Sequence, residues 1–165
     1  MIEAIAKAGA HAAKFQTYKA HLLAAEGTSP AYWDQTQEAA SSQFSLFQRW
    51  DTFDEGDYSA LAAHCRDCGV DFLSTPFDLG SVDMVASLAP LIKIASADLT
   101  NVPLLRKVGC CRLPVVMSVG ASQFEEVAVA VAELTRAGAP EIALLHCVLN
   151  YPRGRPMRNS LRSAC

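Results

Sequence analysis

The 165-residue sequence has no run of roughly 18 apolar residues, the length needed to cross a bilayer, and runs such as Ile142 to Leu145 are interrupted early. It has no export signal either, because Met1-Ile2-Glu3-Ala4-Ile5-Ala6-Lys7 lacks a basic region followed by an apolar one. The expected location is cytoplasmic, with no membrane partner. There is no excess of positive charge: 14 Lys and Arg stand against 17 Asp and Glu, a formal net charge of −3, which argues against an electrostatic nucleic-acid binder. Low-complexity segments are absent, and with 51% hydrophobic and 19% charged residues the composition is that of a chain able to bury a core.

Acidic residues are missing after Glu141. Residues 1–152 hold 10 basic and all 17 acidic groups, whereas residues 153–165 hold Arg153, Arg155, Arg158 and Arg162 with no acid. The expected organisation is therefore a folded unit over 1–152 and a basic tail over 153–165, disordered or foreign to the fold. Six cysteines are present, Cys65, Cys68, Cys110, Cys111, Cys147 and Cys165. In a chain of this size without an export signal they read as reduced thiols rather than a disulfide framework. Cys65 and Cys68 have CxxC spacing, but the later Cys110-Cys111 pair is adjacent, which does not suit tetrahedral zinc.

Hydrophobic periodicity alternates between helix and strand. Helical patterns fall at Met1–Ala8, Glu55–Cys68, Ser81–Leu88, Val102–Val108 and Ser122–Ala137; strand patterns fall at Ala12–Tyr18, Val70–Thr75, Leu91–Ala95, Val115–Val119 and Ile142–Val148. After the first strand, successive strands begin about one βα unit apart, and apolar strands separated by single helices imply a parallel sheet with right-handed crossovers. The fold class is α/β, a partial TIM (β/α)8 barrel of about five parallel strands, where the whole barrel takes eight strands and about 250 residues. The long first gap, His21 to Thr52, carries Tyr32, Trp33, Phe44, Phe47 and Trp50 and reads as a packed insertion with its own helical turn.

In parallel α/β folds ligands bind at the carboxyl ends of strands. There the sequence places Lys14, Gln16, Thr75, Lys93, Ser96, Asp98, Ser118, Gly120 and His146. Lys14 and Lys93 interrupt apolar strands, and a lysine pointing into a barrel requires an anionic partner. Ser96, Ser118 and the backbone around Gly120 add neutral donors suited to phosphate. Plainer roles stay open: either lysine could pair with a strand carboxylate or emerge at the barrel mouth, Asp98 or Thr100 could cap the next helix, and His146 could be a core residue.

Five motifs then coincide in order: Lys14-Phe15-Gln16-Thr17-Tyr18-Lys19; Phe72-Leu73-Ser74-Thr75-Pro76-Phe77-Asp78; Lys93-Ile94-Ala95-Ser96-Ala97-Asp98; Ser118-Val119-Gly120; and His146-Cys147-Val148-Leu149-Asn150-Tyr151-Pro152. Together they resemble the sialic acid synthase family, which includes the synthases of N-acetylneuraminate, legionaminate and pseudaminate. The resemblance implies a (β/α)8 barrel and condensation of phosphoenolpyruvate with an N-acetylmannosamine-type sugar, with release of phosphate. It implies Mn²⁺ or Mg²⁺ and a dimer completed by a small second domain. By position, Lys14 resembles the lysine that holds the phosphoenolpyruvate carboxylate, assisted by Thr75. Lys93, Ser96, Ser118 and Gly120 resemble the phosphate cradle, Asp98 the proton-transfer carboxylate, and Gln16 and Tyr151 residues near the sugar.

The sequence departs from that family in several places. Val119 and Ala121 replace a common Thr and Met, and Arg153-Gly154-Arg155-Pro156 stands where the family continues Thr-Pro. The family's metal ligands have no counterpart, so no metal residue is assigned. The reading is thus of a synthase barrel truncated at both ends, with little turnover alone and exposed strand edges prone to oligomerisation or aggregation. The alternatives are another phosphoenolpyruvate-dependent 3-deoxy-ulosonic acid aldol synthase, or a non-catalytic half-barrel.

Overall fold

The computed structural model describes residues 1–27, 36 and 38–148. The element order is α1 (Ile2–Lys7), β1 (Ala12–Thr17), α2 (Ala20–Leu23), α3 (Gln43–Trp50), α4 (Glu55–Asp67), β2 (Asp71–Pro76), α5 (Leu79–Leu88), β3 (Ile92–Ile94), a 3₁₀ turn at Ser96–Asp98, α6 (Val102–Cys110), β4 (Val115–Ser118), α7 (Phe124–Ala137) and β5 (Ile142–Leu145). All ladders are parallel. β1 pairs with β2, and β4 lies between β3 and β5. β2 and β3 lie side by side without a recorded ladder, so the hydrogen bonding breaks at the three-residue β3 where one continuous sheet was expected.

Local chemistry sets the helix starts. Asp54 and Asp57 form a reciprocal capping box at α4, Asp78 accepts from the Ser81 N–H at 2.8 Å at α5, and Glu126 accepts from the Gln123 N–H at 2.8 Å at α7. The cap of α6 is Asn101, whose Oδ1 accepts from Leu104, with Pro103 in the first turn where its missing N–H does no harm. Asp98 and Thr100 are therefore not the cap. Gly138 ends α7 at φ 114°, a left-handed conformation that a side chain would strain.

Two apolar clusters hold the layers together. Ile92, Ile94, Val115 and Met117 pack against Leu104, Leu105, Val108 and Leu134 of α6 and α7. Ala13 and Phe72 pack against Ile2, Tyr58, Cys65 and Val85 of α1, α4 and α5. Each fully buried aliphatic side chain contributes about 1.5–3 kcal/mol, so this single helical layer accounts for most of the hydrophobic stabilisation. The opposite face of the strands has no covering layer among the described residues. For that reason Lys14, Gln16, Ala143 and Leu145 are exposed, where strands buried on both faces were expected. The insertion is anchored to the end of β1 by Asp51, which bonds Lys19 Nζ at 3.0 Å and the Ala20 N–H at 2.9 Å. Burial opposes charge on Asp51, but these two donors prevail and hold its carboxyl below the ordinary aspartate range.

Candidate functional site

Parallel register decides which side chains share a face, because side chains alternate with a period of two. Lys14 is paired with Leu73 and Gln16 with Thr75; Lys93 is paired with Val116, two residues before Ser118, and Ser118 with Leu145. The sequence-predicted residues Lys14, Gln16, Thr75, Lys93 and Ser118 thus fall on the face away from the helices, toward the carboxyl ends of the strands.

Lys93 is the central cation. Its residue is only 8% exposed, and its ammonium donates to the Ile94 carbonyl and, at 2.6 Å, to Ser118 Oγ. No carboxylate pairs with it among the described residues. Burial, followed by repulsion from Lys14, lowers its pKa to about 8, while Cys147 pulls the other way. Lys14 itself is exposed, which corrects the expectation of a lysine buried in a barrel: no opposing wall shields it among the described residues.

Around Lys93 the donors converge. The Gly120 N–H donates to Ser96 Oγ at 2.9 Å, joining the 3₁₀ turn after β3 to the turn after β4. Ala121 follows at φ 53°, a conformation uncommon for a residue with a side chain, and the Ser122 hydroxyl donates to the Gly120 carbonyl at 3.2 Å. In the same turn the Val119 N–H donates to the Leu145 carbonyl at 3.1 Å. Thr75 is buried next to Ser74, whose hydroxyl lies 2.7 Å from that of Thr17.

Asp98 lies in the same 3₁₀ turn as Ser96. Asn101 Nδ2 donates to its Oδ1 at 3.3 Å, and its Oδ2 is buried with no hydrogen-bond partner. Burial raises its pKa against the opposing bond from Asn101. Beside Asp98, Gln16, Tyr18, Leu46, Phe47, Trp50 and Phe77 line a cavity of about 630 Å³, walled in part by the insertion. Another cavity, of about 580 Å³, touches His11, Arg66 and Asp71 at the opposite, amino ends of the strands.

One neighbour escaped the sequence reading. Cys147 brings its sulfur to 3.3 Å from Ser96 Oγ, inside the donor cluster; its place just past the last strand was the only available signal. His146 is exposed, not a core residue, and Tyr151 lies outside the described residues. Cys65, Cys68, Cys110, Cys111 and Cys147 are all free thiols. Among the described residues no three His, Cys, Asp or Glu side chains come together as a metal-ligand group, and no helix is long and apolar enough to cross a membrane.

Parallel strands with crossover helices, with a buried lysine at their carboxyl ends, define the class: a (β/α)-barrel-type domain. The chain belongs to the NeuB family, which matches residues 1–159. It is 34% identical over 156 residues to the N,N'-diacetyllegionaminic acid synthase of Campylobacter jejuni, a match that covers 92% of this chain and 46% of the relative. It is 33% identical over 159 residues to the N-acetylneuraminate-9-phosphate synthase of Drosophila melanogaster, covering 92% and 41% respectively. The chain therefore spans a little under half the length of these relatives. Among solved structures, the N-acetylneuraminic acid synthetase of Leptospira borgpetersenii, crystallised with citrate, superposes with a TM-score of 0.79 at 27% identity, over 94% of this chain and 50% of that one. A 3-deoxy-D-arabino-heptulosonate 7-phosphate synthase of Thermotoga maritima, at TM-score 0.61 and 17% identity over 87% of this chain and 44% of that one, shares the fold.

Proposed function

We propose that this chain carries the phosphoenolpyruvate-binding part of a sialic acid synthase-type enzyme. The observation that carries the reading is Lys93: a buried ammonium without a carboxylate partner, set against Ser118 and the Ser96–Gly120 pair. A charge held this way, bonded only to neutral oxygens, would be stabilised further by an anion. Lys93, Ser96, Ser118 and the Gly120 N–H would hold the phosphate, and Lys14, with Thr75, the carboxylate. Gln16 and Tyr151 would face the N-acylated mannosamine-type sugar, and Asp98 would move a proton or orient water.

In the reaction proposed, C3 of the enol attacks the sugar aldehyde carbon and forms the new C–C bond. Water adds at C2, and the C–O bond to phosphate breaks. The task of the Lys93 cradle is to bind and orient the phosphate group before it leaves. The Mn²⁺ or Mg²⁺ of the family would polarise the aldehyde. The described residues offer no ligand set that fits such an ion, so no step is assigned to it, and turnover by this chain alone is expected to be slight. Membership of the NeuB family favours this reading over another 3-deoxy-ulosonic acid synthase, whose likeness is one of fold.

Calorimetric titration of the folded chain with phosphoenolpyruvate tests the proposal. Saturable binding that is lost in Lys93→Ala and weakened in Lys14→Ala is the expected result. No binding by a chain shown by circular dichroism to be folded would overturn it.

A further inference from the structure

The turn between β3 and α6 is closed twice over the same four residues. The Asn101 N–H donates to the Asp98 carbonyl at 2.9 Å, and the Asn101 side chain donates through Nδ2 to Asp98 Oδ1 at 3.3 Å. Leu99, between them, is 2% exposed and is packed into the core with Leu104, Leu105 and Val108 of α6. The backbone that carries Asp98 is therefore anchored on both sides.

Asn101 is held in this orientation from its other end. Its Oδ1 accepts from the Leu104 N–H at 3.3 Å as the cap of α6, which leaves Nδ2 on the side of the carboxyl. A flipped amide would set NH₂ against the Leu104 N–H and an oxygen against the Asp98 carboxylate, two like pairings at once. Capping alone needs only the oxygen, and serine or aspartate would serve equally well. The amide donor is what asparagine adds.

We propose that Asn101 is the positioning residue of the Asp98 carboxyl: by binding Oδ1 it fixes the side chain and leaves Oδ2 as the oxygen that bonds the reacting group. The inference rests on the reading of Asp98 as the residue that moves a proton or orients water. Oδ2 is buried with no hydrogen-bond partner among the described residues, a costly condition for a carboxylate that a ligand hydroxyl or water in the site would relieve. The two oxygens of one carboxyl thus have different tasks. A first contact made rigid by a neighbour that is itself tied to a packed helix is how a site holds a reactive group in one geometry.

The test is NMR on the full, isotope-labelled chain, which reads the Asp98 χ1 rotamer from three-bond couplings and the Asp98 carboxyl carbon as ligands are added. Asn101→Gly removes the donor without adding charge, and glycine is accepted at a helix cap, so the urea midpoint should stay close to that of wild type. Wild type is expected to show one Asp98 rotamer, and a carboxyl signal that shifts when phosphoenolpyruvate and N-acetylmannosamine are both present. Asn101→Gly should show averaged rotamers and lose that shift, with phosphoenolpyruvate affinity unchanged in calorimetry because Asn101 lies outside the Lys93 cradle. Should Asn101→Gly unfold α6, Asn101→Asp, which keeps the cap oxygen and replaces the donor by an acceptor, must lose the single rotamer instead. A single Asp98 rotamer retained in the folded variant overturns the positioning role. An Asp98 signal unmoved by the two ligands in a wild-type chain that binds phosphoenolpyruvate overturns the task given to Oδ2. Wild type that binds no phosphoenolpyruvate overturns the functional reading, and the rotamer comparison still decides whether Asn101 holds Asp98.

Discussion

Lys93 Nζ donates to Ser118 Oγ at 2.6 Å from one parallel strand to the next, tying the last turn of β3 to that of β4 through a buried cation. The contact places a hydroxyl and an ammonium side by side with no carboxylate to balance them. The two strands are thereby locked in register, and a local positive potential is left at their carboxyl ends.

The first prediction concerns pH. Lys93 must be protonated to hold an anion, and its pKa is lowered to about 8. Phosphoenolpyruvate, largely ionised over the range, should bind about tenfold more weakly at pH 9 than at pH 7. Near pH 8 binding should also take up protons, visible as a dependence of the calorimetric enthalpy on the buffer's ionisation enthalpy. An affinity constant across that range would remove Lys93 from the site.

Lys14 is coupled to Lys93 by repulsion, the second cause of the lowered pKa after burial. Lys14→Ala should therefore raise the Lys93 pKa and shift the pH midpoint of binding upward, even as it weakens binding several-fold. A weakened affinity with an unmoved midpoint would show that the two ammonium groups act independently.

Replacing Lys93 by Met should separate function from stability. The charged form of a lysine with a lowered pKa opposes folding, so the native state binds fewer protons than the unfolded one between about 8 and the ordinary 10.5, and wild-type stability should rise with pH across that window. Lys93→Met should lose that rise, gain roughly 1 kcal/mol at neutral pH in urea unfolding, and bind no phosphoenolpyruvate. A variant less stable than wild type at pH 7 would mean that the bonds to Ser118 and Ile94 outweigh the burial of charge.

The contact between α6 and α7 sets a different limit. A Cβ at Gly109 would lie 2.5 Å from Ala137 Cβ and 2.8 Å from the Leu134 carbonyl oxygen, so the helices must separate to admit it. Gly109→Ala should cost about 1–3 kcal/mol with little change in the urea m-value, and a neutral substitution would indicate freely adjustable helix packing.

The amino-acid sequence by itself determined the alternation of five strands with their helices, the α/β class and the membership of a family of sugar-acid synthases. These follow from periodicity, glycine and proline positions and motifs such as Lys93-Ile94-Ala95-Ser96-Ala97-Asp98, all short-range along the chain. The strand ends near Lys93, Ser96, Ser118 and Gly120 were legible for the same reason, since polar residues in apolar strands stand out. Tertiary structure decided what depends on neighbours remote in sequence. Exposure separates Lys14 from Lys93 although both sit in strands and on the same face, because only Lys93 lies in the central part of the sheet against Ser118 and the Ile94 carbonyl. Asn101 rather than Asp98 caps α6, so one Asp98 oxygen is left buried and unpaired. Cys147 meets Ser96 across 51 residues of chain, a meeting that no local pattern encodes because it arises from the crossover of two βα units.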